Sequence, residues 1–423
     1  MTLWLTLSLA SAVSVAVPAQ TGSSPLIPDA NLQQLGLVKF WQANLPLGAG
    51  DAIRDGFLVD ETLYVSSQQG NIYALKADVG LLRWGAALTE PSYRIYAPRH
   101  VRENGTSGPT VIATTTEIFV IDRYSGEIRK RFAPGFATGS AAVGLDGMLF
   151  VGGADGRFYS LQLDHPFAPK PPKRWDVLAG GPVTATPLLY DVETLLFASQ
   201  AGKVFACLAA DKTFLWSFAA GGAIEGDPAI DASGAYVSST DRSLYKLHKG
   251  TGALLWRARF PNPLTEGPTV VAQTAYQYAG NNGLSALDAM TGKEKWRVPE
   301  GRSLAAHSPA GDVILTSTRR LAVVEHETGK LVGAIDAAQV LKAVPNSTND
   351  SVYLLGQGGR VLCVRLDDVP YLKRQQVAAA REQLNQPPGS EKKVEPIEPL
   401  VREPDPLEDD PLRSKKDTDK PQP

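Results

Sequence analysis

Few side chains in this 423-residue sequence have the type and spacing that chemistry demands. Five histidines and two cysteines show no zinc-ligand spacing. No phosphate-cradling glycine loop and no nucleophile elbow is present. What recurs is a polar residue a few positions ahead of a proline. Arg94, Thr184, Glu225, Asp227, Glu266 and His307 stand before Pro98, Pro187, Pro228, Pro268 and Pro309, and Pro345 continues the series. Such groups can hold a ligand or partner by charge and hydrogen bonding, or simply keep a solvated channel polar. His307 has no ligand partner at a recognisable spacing, so alone it reads as a hydrogen-bonded imidazole. Phe167, Lys170 and Lys173 lie in the proline-rich stretch 164–173, where stiffening lowers the ordering cost of binding a partner. No catalytic, cofactor or metal residue follows from these patterns.

The elements that would position these groups are set by a repeat. A shared small or polar position falls at Gly70, Thr116, Gly156, Gly202, Arg242, Asn282, Arg319 and Gly359, at intervals of 37 to 46 residues. A β-prone segment precedes it, as in Leu63-Tyr64-Val65 and Val352-Tyr353-Leu354. An aromatic or apolar residue follows three positions later, at Tyr73, Phe119, Tyr159, Phe205, Tyr245 and Leu362. Aliphatic partners two residues beyond, such as Leu75, Ile121 and Leu161, keep the strand period of two. A period near forty with strand-like units predicts an all-β, eight-bladed β-propeller of four-stranded antiparallel blades.

Glycine recurs ten residues past the shared position, at Gly80, Gly126, Gly252, Gly292 and Gly329, where a hairpin turn needs positive φ. Trp84, Trp216, Trp256 and Trp296 stand four residues beyond that place. Trp175 fills it after an insertion, and Lys130 and Gly333 replace it in copies two and seven. The eighth copy lacks its last strand, whereas Leu37-Val38-Lys39-Phe40-Trp41 has no copy of its own. The N-terminal strand is therefore expected to complete the last blade and leave no long sheet edge exposed. Six equivalent tryptophans, Trp41 among them, then read as blade-to-blade packing, each indole removing about 150–250 Å² from water.

The segment Ala286-Leu287-Asp288-Ala289-Met290-Thr291-Gly292-Lys293-Glu294-Lys295-Trp296 resembles the tryptophan-docking motif of pyrroloquinoline-quinone-like propeller repeats, and 246–256 is a looser copy. The resemblance spans about residues 36–369 and implies that each indole stacks on the neighbouring blade and bonds its backbone. It also raises a quinone-dependent dehydrogenase that uses pyrroloquinoline quinone with calcium. The adjacent cysteines and long inter-blade insertions of those enzymes are missing here. In repeat type, blade number and size the chain resembles the propeller subunits of the outer-membrane β-barrel assembly (Bam) complex. Those subunits carry no cofactor, bind protein partners through their loops, and are lipid-anchored through a cysteine without a counterpart here.

Outside the repeats, Leu3 to Val17 is an apolar run too short to span a bilayer, followed by Val17-Pro18-Ala19. Residues 1–19 are read as a secretory signal peptide, which implies a periplasmic or secreted protein. The propeller is expected over 30–371, a short helix over 372–386, and a disordered proline-rich, charged tail over 387–423. A formal charge of −2 without a basic patch argues against nucleic acid as a partner. Cys207 and Cys363 fall in opposite copies of an eight-membered ring, beyond the roughly 7 Å that a disulfide permits. The leading expectation is an exported, monomeric, non-catalytic scaffold for envelope proteins. The alternatives are a quinoprotein oxidoreductase and an envelope carbohydrate- or polymer-binding sensor.

Overall fold

The computed structural model describes residues 24–164, 170–191 and 193–366. Phe167, the leader 1–19, the helix expected over 372–386 and the tail 387–423 lie outside them. Within the described residues each repeat folds as a four-stranded antiparallel meander. Blade 1 shows the pattern: Ile53–Val59 lies innermost, then Thr62–Ser67 and Asn71–Lys76, with Leu81–Ala87 outermost. The two middle strands are buried almost throughout, so their sequences are continuously apolar or small. The outermost strand alternates, because only one of its faces meets a neighbour. Blades 2 and 3 also touch through their innermost strands, Leu145 lying beside Arg102 in a parallel bridge.

Closure works as the orphan strand implies. Leu37–Asn44 pairs antiparallel with Arg360–Leu366, in register from Leu37 opposite Leu366 to Asn44 opposite Arg360. Blade 8 thus draws three strands from the end of the described chain and its outermost strand from the beginning. Apolar side chains collect at the seams between blades, not within single sheets. One buried cluster bridges each consecutive pair, including blades 8 and 1. Eight seams make the ring continuous.

The tryptophans sit in those seams. The indole N–H groups of Trp41, Trp84, Trp216, Trp256 and Trp296 donate to the carbonyls of Ala77, Arg123, Lys249, Ala289 and His326, at 2.7–3.0 Å. Each acceptor belongs to the next blade and lies three residues before its turn glycine. That glycine is required twice over. Gly292 has φ +71, and a β-carbon there would lie 2.6 Å from Trp256 Cδ2. The same collision, at 2.4–2.6 Å, would occur at Gly80, Gly126, Gly252 and Gly329. Positive φ, expected from the sequence, is half the reason; the other half is an indole lying flat on the turn.

The exceptions follow the same geometry. Blade 4 carries Lys212 at the glycine place with φ +61, and the facing Trp175 Nε1 has no partner among the described residues. A side chain thus stands where the other docking turns have glycine. In blade 2, Lys130 sends its ammonium to the carbonyl of Leu163, the residue equivalent to the other acceptors. In blade 7, Gly333 leaves a gap that Leu35 fills, since an added β-carbon would lie 2.8 Å from Leu35 Cδ2. Leu35 follows a short helix, Asp29–Gln33, whose Leu32 is fully buried in the seam between blades 7 and 8.

Candidate functional site

The innermost strands line the ring, and the segments that enter them form one mouth of it. Pro98, Pro187, Pro228 and Pro268 each directly precede an innermost strand: Arg99–Glu103, Leu188–Tyr190, Ala229–Ile230 and Thr269–Val271. Proline lacks the N–H that a ladder needs, so it marks the entry and keeps three of these strands short. Pro309 and Pro345 depart from that expectation. They follow the innermost strands Gly301–Ser308 and Val340–Val344, which begin earlier and absorb irregular register.

Five of the six anticipated polar residues gather at that mouth. Arg94 is exposed, takes a 3.1 Å hydrogen bond from its backbone N–H to Thr115 Oγ1, and lays its guanidinium over the Tyr96 ring. Thr184 Oγ1 accepts from Gln200 Nε2 at 3.3 Å. Asp227 Oδ1 accepts the backbone N–H of Thr186 at 2.7 Å, tying the entries of blades 4 and 5 together. Glu225 is exposed on the same segment. Glu266 takes both guanidinium nitrogens of Arg302, at 2.9 and 2.8 Å. The entries of blades 5 and 6 approach so closely that a β-carbon on Gly267 would lie 1.9 Å from the Asp227 carbonyl oxygen. His307 belongs elsewhere. The long innermost strand of blade 7 carries it to the opposite face, beside Asp312 and His326.

One residue of this region was not singled out in the sequence. Burial pulls the Arg99 guanidinium below its ordinary value, and the Asp227 carboxylate opposes that shift. A desolvated cation therefore feels an acid supplied by a blade three positions away. Its only sequence signal is its place directly after Pro98. The arrangement can orient polar or charged groups.

The loop anticipated as a partner contact is divided. Lys173 is committed to its own sheet, pairing with Asp176 at 2.8 Å. Lys170 is exposed, and its ammonium lies above Gly135. A more extensive exposed apolar surface lies on the outermost strands. Phe214, Leu215, Leu254 and Leu255 are each about half exposed, on the adjacent blades 4 and 5. These residues fall between the docking turn and the tryptophan, a place the repeat marks but whose exposure it does not reveal.

Residues 206–368 match the family model described as outer membrane protein assembly factor BamB. The matched residues resemble pyrroloquinoline-quinone-like propeller repeats. Among solved structures, BamB from Moraxella catarrhalis shares the fold at 14% identity with a TM-score of 0.63, over 79% of this chain and 99% of that one. The computationally designed Ika8 protein matches at 15% identity and a TM-score of 0.58, over 76% of this chain and 98% of its own. No curated protein matches the sequence. Among the described residues no helix is long and apolar enough to cross a membrane.

Proposed function

We propose that this chain is an exported, non-catalytic propeller that holds protein partners in the cell envelope and serves outer-membrane protein assembly. The observation that carries the reading is the shared architecture with BamB from Moraxella catarrhalis over nearly all of that protein, joined to the family match over 206–368. The half-exposed apolar pairs on blades 4 and 5 support it, because solvent-facing apolar residues on outermost strands suit an added strand or loop from a partner. The partners are envelope proteins, the compartment is periplasmic or extracellular, and the chain acts as a monomer without a cofactor.

A photo-crosslinking residue placed at Leu254 in living cells tests this. The expected capture is a component of the outer-membrane assembly machinery, and deletion of the gene should lower outer-membrane β-barrel levels. Unchanged barrel levels, with capture of unrelated envelope proteins only, would overturn the assignment. Titration with pyrroloquinoline quinone and calcium tests the non-catalytic part separately. Saturable binding with dye reduction would replace the scaffold by a quinoprotein.

A further inference from the structure

Blade 7 departs from the other blades at one buried position. Asp312 is the second residue of the second strand, Gly311–Thr316, and faces Val324 across the ladder. On the same rung, six of the seven other blades carry an aliphatic residue, Leu149, Leu195 and Val352 among them, and the remaining blade carries Thr110. Asp312 is fully buried, and it is the only acid in the buried class among the described residues. A carboxylate in place of an aliphatic side chain costs several kcal/mol unless its charge is met. No lysine or arginine pairs with it among the described residues.

Two histidines meet it instead. His307, its cross-strand partner, brings Nδ1 to 2.7 Å from Asp312 Oδ1. His326, from the outer turn of the same blade, brings Nδ1 to 2.9 Å from the same oxygen. The two rings lie 4.2 Å apart between centroids. The other oxygen, Oδ2, accepts the Tyr276 hydroxyl of blade 6 at 2.8 Å. His326 is itself anchored, since its carbonyl receives the Trp296 indole at 2.7 Å.

We propose that His307 Nδ1, His326 Nδ1 and Asp312 Oδ1 form a binding site for a divalent d-block cation of the zinc type. Two imidazoles and a carboxylate are the donor set such ions select. The three donor atoms lie within 4.8 Å of one another. A tetrahedral zinc site with ligands at about 2.0–2.2 Å needs donor separations of about 3.3 Å. Small side-chain rotations therefore open the cluster to the required size. Each imidazole that offers Nδ1 carries its proton on Nε2, and the rings, 24% and 28% exposed, can give that N–H to water. Tyr276 holds the carboxylate in orientation from outside the ligand set. The partly open side leaves a fourth position for water. A bound ion would clamp the inner hairpin of blade 7 to its outer turn and, through Tyr276, to blade 6.

The other grouping of ligand-type residues, Asp60, Glu61 and His100, is unlike it. There, Arg83 and Arg123 already lie 3.8 Å from Glu61 Oε1, and Asp60 is exposed.

The test is calorimetric titration of untagged, metal-stripped full chain with zinc chloride, paired with thermal melting with and without zinc. The wild type is expected to bind one equivalent and to melt higher when loaded. His307→Gln and His326→Gln should each weaken binding tenfold or more and abolish the zinc-dependent rise. Asp312→Val restores the apolar residue of blade 8 and should fold while losing zinc. His100→Gln should bind as the wild type does. Absence of zinc binding in the wild type overturns the proposal. Binding that survives both blade 7 histidine substitutions, or that is lost with His100→Gln, overturns it as well.

Discussion

A flat indole over a turn glycine is the smallest unit that explains this protein. The motif Leu-Asp-x-x-Thr-Gly has a physical role at each place. Asp288 Oδ1 accepts the backbone N–H groups of Met290 and Thr291 and the Thr291 hydroxyl, and the Gly292 N–H closes the turn on the Asp288 carbonyl at 2.8 Å. The turn thereby presents the Ala289 carbonyl to Trp256. Gly292→Ala combines left-handed strain with a collision and should cost about 2–4 kcal/mol, read from urea unfolding. Lys212→Gly should do the reverse, adding about 1 kcal/mol by relieving strain and letting the Trp175 indole dock on the turn of blade 4. No gain there would refute the account of Trp175. The turn acids also set an acid limit. A hydrogen bond from the Ser125 backbone holds Asp122 at about 2, and hydrogen bonds from Thr291 hold Asp288 below its ordinary value of 3.8. Because these folded-state values lie below the unfolded ones, their stabilisation is complete above about pH 4 and is lost as pH falls toward 2. Urea midpoints at pH 7, 4 and 3 should be nearly equal for the first pair and clearly lower for the last.

At the scale of elements, the first described segments complete the last ones. The strand Leu37–Asn44 and the helix Asp29–Gln33 both serve the seams of blade 8. The helix region offsets the missing tryptophan of blade 7, because Leu35 occupies the space above Gly333. Trp296→Ala should lower the melting temperature by several degrees, from a loss of about 3–5 kcal/mol at a large buried aromatic. Removing residues 24–44 strips blade 8 of its outermost strand and of the Trp41 indole. The expected result is loss of a single sharp unfolding transition. A sharp transition in that truncated chain would show that closure by the N-terminal strand is dispensable.

The propeller is stabilised as a ring of neighbour contacts, so its seams open together or not at all. The thiols report on that. Cys207 and Cys363 are free and buried, and burial pushes both up to about 12. Neither should react with a thiol reagent in the native state, and both should become reactive with the global transition. One thiol labelling early would reveal a blade that opens alone. The same ring geometry separates the two faces. It gathers Arg94, Thr184, Glu225, Asp227 and Glu266 at one mouth and sends His307 to the other side, where Asp312 and His326 await it.

Blade number, the closing strand and the packing role of Trp41, Trp84, Trp216, Trp256 and Trp296 were legible in the chain itself. Each depends on a local periodicity that recurs eight times and on a turn glycine that recurs five times. The company of individual polar residues was not legible, because in a ring it is decided by pairing across strands and across seams. His307, Asp312 and His326 are separated by five and fourteen residues and fit no ligand spacing, yet a hairpin and an outer turn bring them to one point. The resting place of Lys130 on the Leu163 carbonyl, and of Leu35 over Gly333, was equally out of reach. A repeat states what each blade must share, and only the assembled ring determines what fills the positions where one blade differs.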